Sequence, residues 1–298
     1  MKIKTEEISL SILKQKRVRL FVKRIDQVYN NISGNKYYKL KYNLLEAKRQ
    51  SAKALLTFGG AYSNHILATA YAAKENGFKS IGIIRGEERL PLNPTLALAI
   101  KNGMKLYYIS RKDYRLKSTI NFLNKLHLKF SNFYLIPEGG TNELAIQGAQ
   151  EILDLNDNQD YICCAVGTGG TMAGIINSKR KYQKIIGFPA IKGFDLLHKE
   201  IEKWSNNNTW ELLSNCESLS YGSINKVLVN FINMFYKTQK IPLDALYNGK
   251  MLLSIIDLIE KNYFPKGSSI LAINTGGLQG NKGINKKFEV ELPVNYNE

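Results

Sequence analysis

Residues 163–174 read CCAVGTGGTMAG, in which an apolar run ending at Val166 meets three glycines within four residues and a helix begins near Thr171. Glycines in such a turn let backbone N–H groups close around an anion, and the helix start adds the positive end of its dipole. Thr168 and Thr171 offer hydroxyl donors beside them. A tight strand-to-helix turn without a ligand uses the same glycines. The dinucleotide-binding spacing fails because Met172 stands where its last glycine belongs, and no Gly-Lys-Ser/Thr follows for a P-loop. What remains is a phosphate cup of another kind, built from Gly167, Thr168, Gly169, Gly170 and Thr171.

Outward from this turn, short β-rich runs alternate with amphipathic stretches. Leu20–Val22, Ala54–Phe58, Ile81–Ile84, Leu106–Ile109, Phe133–Ile136, Tyr161–Val166, Lys184–Gly187 and Ile270–Ile273 read as strands. Helices are expected over Lys36–Gln50, Ser63–Asn76 and Thr95–Asn102, and near 142–155, 171–181, 223–238 and 249–262. This alternation predicts an α/β architecture with mostly parallel sheets and right-handed crossovers. Ligands in such folds bind beyond the carboxyl ends of the strands. The glycine-rich segments GGAYSNH (59–65), PEGG (137–140), GTGGT (167–171) and NTGG (274–277) each follow a strand. No repeat or low-complexity linker is evident, so a second domain is expected as an excursion from the first.

Two further segments carry candidate chemistry. In ISGNKYYKLKYNLLEA (32–47), Ser33 or Asn35 can cap a helix and place Lys36 in its first turn. The helix dipole opposes a lysine there and lowers its pKa, which suits a Schiff-base lysine. An exposed surface lysine is the plainer reading, and Lys39 and Lys41 compete for any special role. In TFGGAYSNHILATA (57–70), Ser63 or Asn64 caps the next helix, and both stand where a ligand would arrive. His65 reads as a residue near the site rather than a catalytic base.

Composition narrows the classes. With 298 residues and 44% hydrophobic content the chain can bury a full core. No apolar run is long enough to span a bilayer, and MKIKTEEISL lacks a signal-peptide core, so the expectation is a cytoplasmic protein without membrane partners. Three cysteines and three scattered histidines give no disulfide framework and no metal site. The net charge of +17 raises a nucleic-acid partner, but the basic residues are spread along the chain without an aromatic-interleaved block. No nucleic acid is therefore expected, although the charge would attract an anionic cofactor or substrate.

Taken together, SGNK, GGAYSNH, PEGGTNELAIQG, VGTGGTMAG, IPLDALYNGK and ILAINTGG resemble, in order and over nearly the whole chain, the fold type II pyridoxal-phosphate enzymes. The resemblance is to the family of 1-aminocyclopropane-1-carboxylate deaminase and D-cysteine desulfhydrase. It implies a tryptophan synthase β-like fold: a large domain of residues 1–45 plus 139–298, a small α/β domain of 46–138, and the cofactor between them in a homodimer. It also implies that Lys36 holds pyridoxal 5′-phosphate as a Schiff base and that Asn64 bonds its phenolic oxygen. Gly167, Thr168, Gly169, Gly170 and Thr171 would hold its phosphate, and Thr275 would lie against its ring nitrogen. Ser63 would meet the substrate carboxylate, and Tyr247 would face the substrate as an acid–base group.

A hydroxyl partner such as Thr275 leaves the ring a weaker electron sink than an aspartate would, which favours elimination over transamination. The implied activity is a lyase or deaminase acting on a small amino acid. Departures from the family pattern bear on the substrate: Tyr38 replaces an arginine, Ala272 a second tyrosine of the deaminase branch, and Asn274 a histidine of the desulfhydrase branch. LSYGSIN (219–225) replaces a glycine-rich tyrosine loop. With Ala272 offering no hydroxyl, D-cysteine-type β-elimination is expected ahead of cyclopropane opening, unless Tyr221 fills the gap.

Overall fold

A computed structural model describes residues 3–29, 32, 34–190, 194–205, 207–214 and 224–294. The strands are β1 (Thr5–Glu7), β2 (Arg19–Lys23), β3 (Ala54–Gly59), β4 (Lys79–Arg85), β5 (Met104–Ile109), β6 (Phe133–Ile136), β7 (Tyr161–Val166), β8 (Lys184–Pro189), β9 (Trp210–Leu212) and β10 (Ser269–Ile273). The helices are α1 (Ser11–Lys16), α2 (Asn35–Arg49), α3 (Asn64–Glu75), α4 (Pro94–Lys101), α5 (Arg111–Tyr114), α6 (Ile120–Lys129), α7 (Glu143–Ala149), α8 (Gly170–Ser178), α9 (Phe194–Trp204), α10 (Lys226–Gln239), α11 (Asn248–Glu260) and α12 (Gly280–Phe288).

Among the described residues, ten strands make two sheets, one ordered β1-β2-β10-β7-β8-β9 and the other β5-β4-β3-β6. Among them only β1 runs antiparallel to its neighbour; every other pairing is parallel. The larger sheet is covered on both faces, and the period of two along its strands shows how. Cys163 and Ala165 of β7, with Ile270 and Ala272 of β10, join one apolar cluster with Ile232 of α10 and Met251 of α11. Ile162, Cys164 and Val166, with Leu271 and Ile273, join another with Tyr38 of α2, Ile175 of α8 and Ile201 of α9. Strands buried on both faces need near-continuous apolar sequence, as Tyr161–Val166 has. In the smaller sheet, Leu55 packs toward α3 while Leu56 and Phe58 pack toward α6.

Strand order brings ends together that are distant in sequence. β10 lies between β2 and β7, in register Ala272↔Val22 and Ala272↔Cys163. The turn after β7 and the loop after β10 therefore open side by side at one edge, facing the loop after β3.

Candidate active site

The start of α2 hangs from the end of β10. Asn35 N–H donates to the Thr275 carbonyl at 3.3 Å, and Gly34 N–H donates to the Ile25 carbonyl at 3.1 Å. Gly34 has φ +69°, and a Cβ there would stand 1.9 Å from the Thr275 oxygen, so only glycine permits this approach. Gly34 is also the N-cap, and no side chain caps the helix. The expected cap at Asn35 is thus corrected: its amide donates instead to Thr171 Oγ1 at 2.8 Å, tying α2 to α8. Ser33 lies outside the described residues.

Lys36 follows within the first turn and lines a cavity of about 620 Å³. Burial pushes its pKa down from 10.5 to about 8. Its Nζ donates to the Gly139 carbonyl at 3.2 Å. Lys39, one turn on, donates to the same oxygen at 2.7 Å and to Thr141 Oγ1 at 2.9 Å. Lys39 is only 1% exposed, and burial, with the Lys36 charge added, holds its pKa well below the usual lysine range. Thr141 Oγ1 in turn lies 2.6 Å from Thr168 Oγ1, and a Cβ on Gly170 would stand 3.1 Å from Lys39 Nζ. Lys39 therefore belongs to the glycine turn. By contrast, Lys41 points away and pairs with Glu151 at 2.7 Å.

The turn itself is an open helix start. Gly169, at φ +83°, is the N-cap of α8, and no side chain caps it. Gly167, Thr168, Gly169 and Thr171 line the cavity, whereas Gly170 sits just behind it against Thr141 and Lys39. Backbone N–H groups, two hydroxyls and a buried amine converge here, which is a donor set for a phosphate.

On the facing side, Ser63 and Asn64 line the same cavity. Ser63 Oγ accepts from Ile66 N–H at 3.3 Å and so caps α3, while Asn64 Oδ1 accepts from Gln279 Nε2. His65 is buried, with Nε2 2.8 Å from Thr57 Oγ1. Burial first, then the Lys36 and Lys39 charges, push its pKa well below 6.5, so the ring is neutral. Tyr247 lines the cavity beside Leu246, and a Cβ on Gly167 would stand 3.8 Å from its hydroxyl. Thr275 closes the floor: its N–H and hydroxyl donate to Asn248 Oδ1 at 2.9 and 3.2 Å, and Asn248 Nδ2 donates to the buried Asp244 at 2.7 Å. Asp244 also accepts the N–H groups of Leu246, Tyr247 and Asn248, which fixes the start of α11.

The sequence-derived set is thus gathered around one cavity: Lys36, Ser63, Asn64, Gly167, Thr168, Gly169, Thr171, Tyr247 and Thr275 line it, and Gly170 backs it. Sequence reasoning left Lys39 as a mere competitor and missed Asn248, Gln279 and Arg85, the last of which also lines the cavity. Lys36 and Lys39 share one helix face by their i, i+3 spacing, and that was the available signal.

Three departures lie off the lining of the cavity. Ala272 is wholly buried in the core of the larger sheet, in the same cluster as Ala165, which does line the cavity. Tyr38 packs in the cluster on the opposite face, and Asn274 is buried behind Thr275 with Oδ1 accepting Gly276 N–H. Tyr221 and residues 219–223 lie outside the described residues, as does Cys216.

Comparison with known proteins shows the family. The family described as pyridoxal-phosphate dependent enzyme matches residues 3–276. The chain belongs to that family. A relative from Arabidopsis thaliana, the bifunctional D-cysteine desulfhydrase/1-aminocyclopropane-1-carboxylate deaminase, mitochondrial, is 30% identical over 297 residues, covering 88% of this chain and 73% of that one. A Thermotoga maritima protein provisionally named 1-aminocyclopropane-1-carboxylate deaminase is 29% identical, covering 88% of this chain and 89% of that one. Among solved structures, an ACC deaminase homologue superposes with a TM-score of 0.85 at 24% identity, covering 97% and 93% of the two chains. This shared fold is the fold type II α/β architecture of pyridoxal-phosphate dependent enzymes.

The residues present fit the family's cofactor. A half-buried, partly deprotonated amine at Lys36 suits covalent attachment, and the open start of α8 with Lys39 suits a dianionic phosphate. No helix among the described residues is long and apolar enough to cross a membrane.

Proposed function

We propose that the chain is a pyridoxal-phosphate dependent lyase of D-cysteine-type substrates, releasing sulfide, ammonia and a 2-oxo acid by β-elimination. The observation that carries the reading is Lys36, with a pKa near 8, set in one cavity with an uncapped, lysine-supported helix start. The residues that would hold the cofactor are Lys36 covalently, Gly167 to Thr171 with Lys39 at the phosphate, Asn64 at the phenolic oxygen, and Thr275 at the ring nitrogen. When bound, the cofactor supplies an electron sink for the bond broken at Cα.

The chain's own groups do the rest. Neutral Lys36 takes the Cα proton, which its lowered pKa allows near pH 8. The Ser63 hydroxyl, whose proton is not used in capping α3, holds the substrate carboxylate. Tyr247 stands across the cavity as a proton donor or acceptor. A thiolate is a good leaving group, so no further acid is required.

A second reading is opening of 1-aminocyclopropane-1-carboxylate to 2-oxobutyrate and ammonia. The placement of Tyr247 against Gly167 favours it, as do the names of the relatives, while the lack of a hydroxyl at Ala272 counts against it. Side-by-side assays of both compounds decide between the readings: 2-oxobutyrate without sulfide from D-cysteine would overturn the first. Borohydride reduction followed by peptide mapping tests the attachment, which must fall on Lys36 and on neither Lys39 nor Lys41. The reading includes a cytoplasmic homodimer, tested by cell fractionation and sedimentation.

A further inference from the structure

A second cavity of about 610 Å³ adjoins the first, and the two share Gly60, Ala61, Tyr62 and Arg85 as a common wall. It opens where β4 and β5 end, the expected place for a ligand in a parallel sheet. α12 closes it from the larger sheet's side, with Gly283 seated against the Tyr62 ring.

Its lining is strongly basic. Arg85, Arg89, Arg111, Lys286 and Lys287 face it, against a single acid, Glu87. None of the five has a carboxylate within 4.0 Å among the described residues. Surface cations in this chain that have an acid at hand do pair, as Lys41 does with Glu151 and Lys184 with Glu211. Here five like charges come from four separate segments, an arrangement that self-repels unless an anion enters.

An independent feature points the same way. Tyr108, on β5, lines this cavity, and its hydroxyl oxygen is shut off from solvent with no hydrogen-bond partner. Buried hydroxyls are normally bonded, so an orphan marks a missing partner. Burial, with the Glu88 charge added, raises the Tyr108 pKa, so the group stays a donor. Arginine forks and a phenolic donor together match phosphate or carboxylate oxygens.

We propose that this basic cavity is an anion subsite at the mouth of the active site, taking the phosphate or carboxylate group of a small molecule. The anion arrives either as the tail of the amino-acid substrate, reaching past Tyr62 and Arg85, or as a separate small anion that occupies the mouth.

Calorimetric titration of the cofactor-loaded protein with pyrophosphate tests it without turnover, so the result stands apart from the elimination reading. Wild type should show saturable one-site binding. The Arg89→Gln/Arg111→Gln double variant should bind at least tenfold more weakly, and Tyr108→Phe severalfold more weakly. Diffuse attraction by the overall charge would not respond to Tyr108→Phe, so equal affinity in wild type and either variant overturns the proposal. Steady-state kinetics separates the two sources. If the anion is the substrate's tail, kcat/KM for O-phospho-D-serine falls at least tenfold in the double variant while that for β-chloro-D-alanine is unchanged. If it is a separate ligand, pyrophosphate alters β-chloro-D-alanine turnover in wild type and not in the double variant.

Discussion

Two strand-to-helix junctions face each other across the cavity, and they solve the same local problem in opposite ways. After β3, Ser63 turns its own hydroxyl back to cap α3, at φ −71° and with ordinary extended backbone. After β7, Gly169 takes φ +83° and leaves α8 without any side-chain cap. A helix start has four N–H groups without intrahelical partners. The first junction satisfies one of them from within, whereas the second leaves them for a ligand and adds Lys39 behind. What sets the anion side apart from its neighbour is the open helix start with Lys39 and Thr141 beside it, not glycine content: GG occurs at both junctions.

The comparison breaks most sharply at Gly169. Alanine there meets a strained φ and puts a Cβ 2.9 Å from Ile201 Cγ1. Cofactor affinity should fall by about 10² to 10³, equivalent to roughly 3–4 kcal/mol, as read by fluorescence titration. Unchanged affinity would mean that the turn does not hold the phosphate.

Ser63→Ala tests the closed junction. The lost cap should lower stability by about 1 kcal/mol, and the Ser63 to Ile66 bond of 3.3 Å is long even for that. Turnover should fall by more, on the order of 10². Near-normal turnover with only a lower melting temperature would reduce Ser63 to a cap.

Lys36 gives a pH test of the cofactor-free protein. Its folded pKa of about 8 lies below the ordinary 10.5. The unfolded chain therefore binds the extra proton between those values, and stability rises with pH across that window. Below about pH 8 the full penalty is present. Lys36→Met should accordingly stabilise the cofactor-free protein at pH 7 by on the order of 2 kcal/mol, discounted for partial exposure. That gain should fade toward pH 10.5; melting temperatures of both proteins across this range check it.

The smallest effect is expected at Lys39. Lys39→Met removes one charge from the phosphate side and should weaken cofactor binding roughly tenfold, with the KM for D-cysteine unchanged. A shift in KM alone would move Lys39 from the cofactor to the substrate.

Much of this was legible because the information is local. Phe133–Ile136 and Tyr161–Val166 are strands over the residues expected from apolar runs, and each glycine segment lies at a strand's carboxyl end. Elements such as β1 and β9, three residues each at the sheet edges, carry too little pattern to announce themselves. α12 was missed because GNKGINKKF mixes two glycines with lysines, and its burial comes from tertiary contacts. The basic mouth was illegible because its arginines and lysines lie up to 202 positions apart, between Arg85 and Lys287.

The placement of β10 between β2 and β7 also governs when the protein can work during its synthesis. Residues 19–23 and 161–166 must wait on the ribosome for 269–273 before the middle of the sheet closes. Until then two parallel strands show open edges, which are templates for aggregation. The Thr275 carbonyl that supports Asn35 is delivered last. The segment carrying Lys36 is thus translated well before residue 275 and cannot take its working position until that residue has been made.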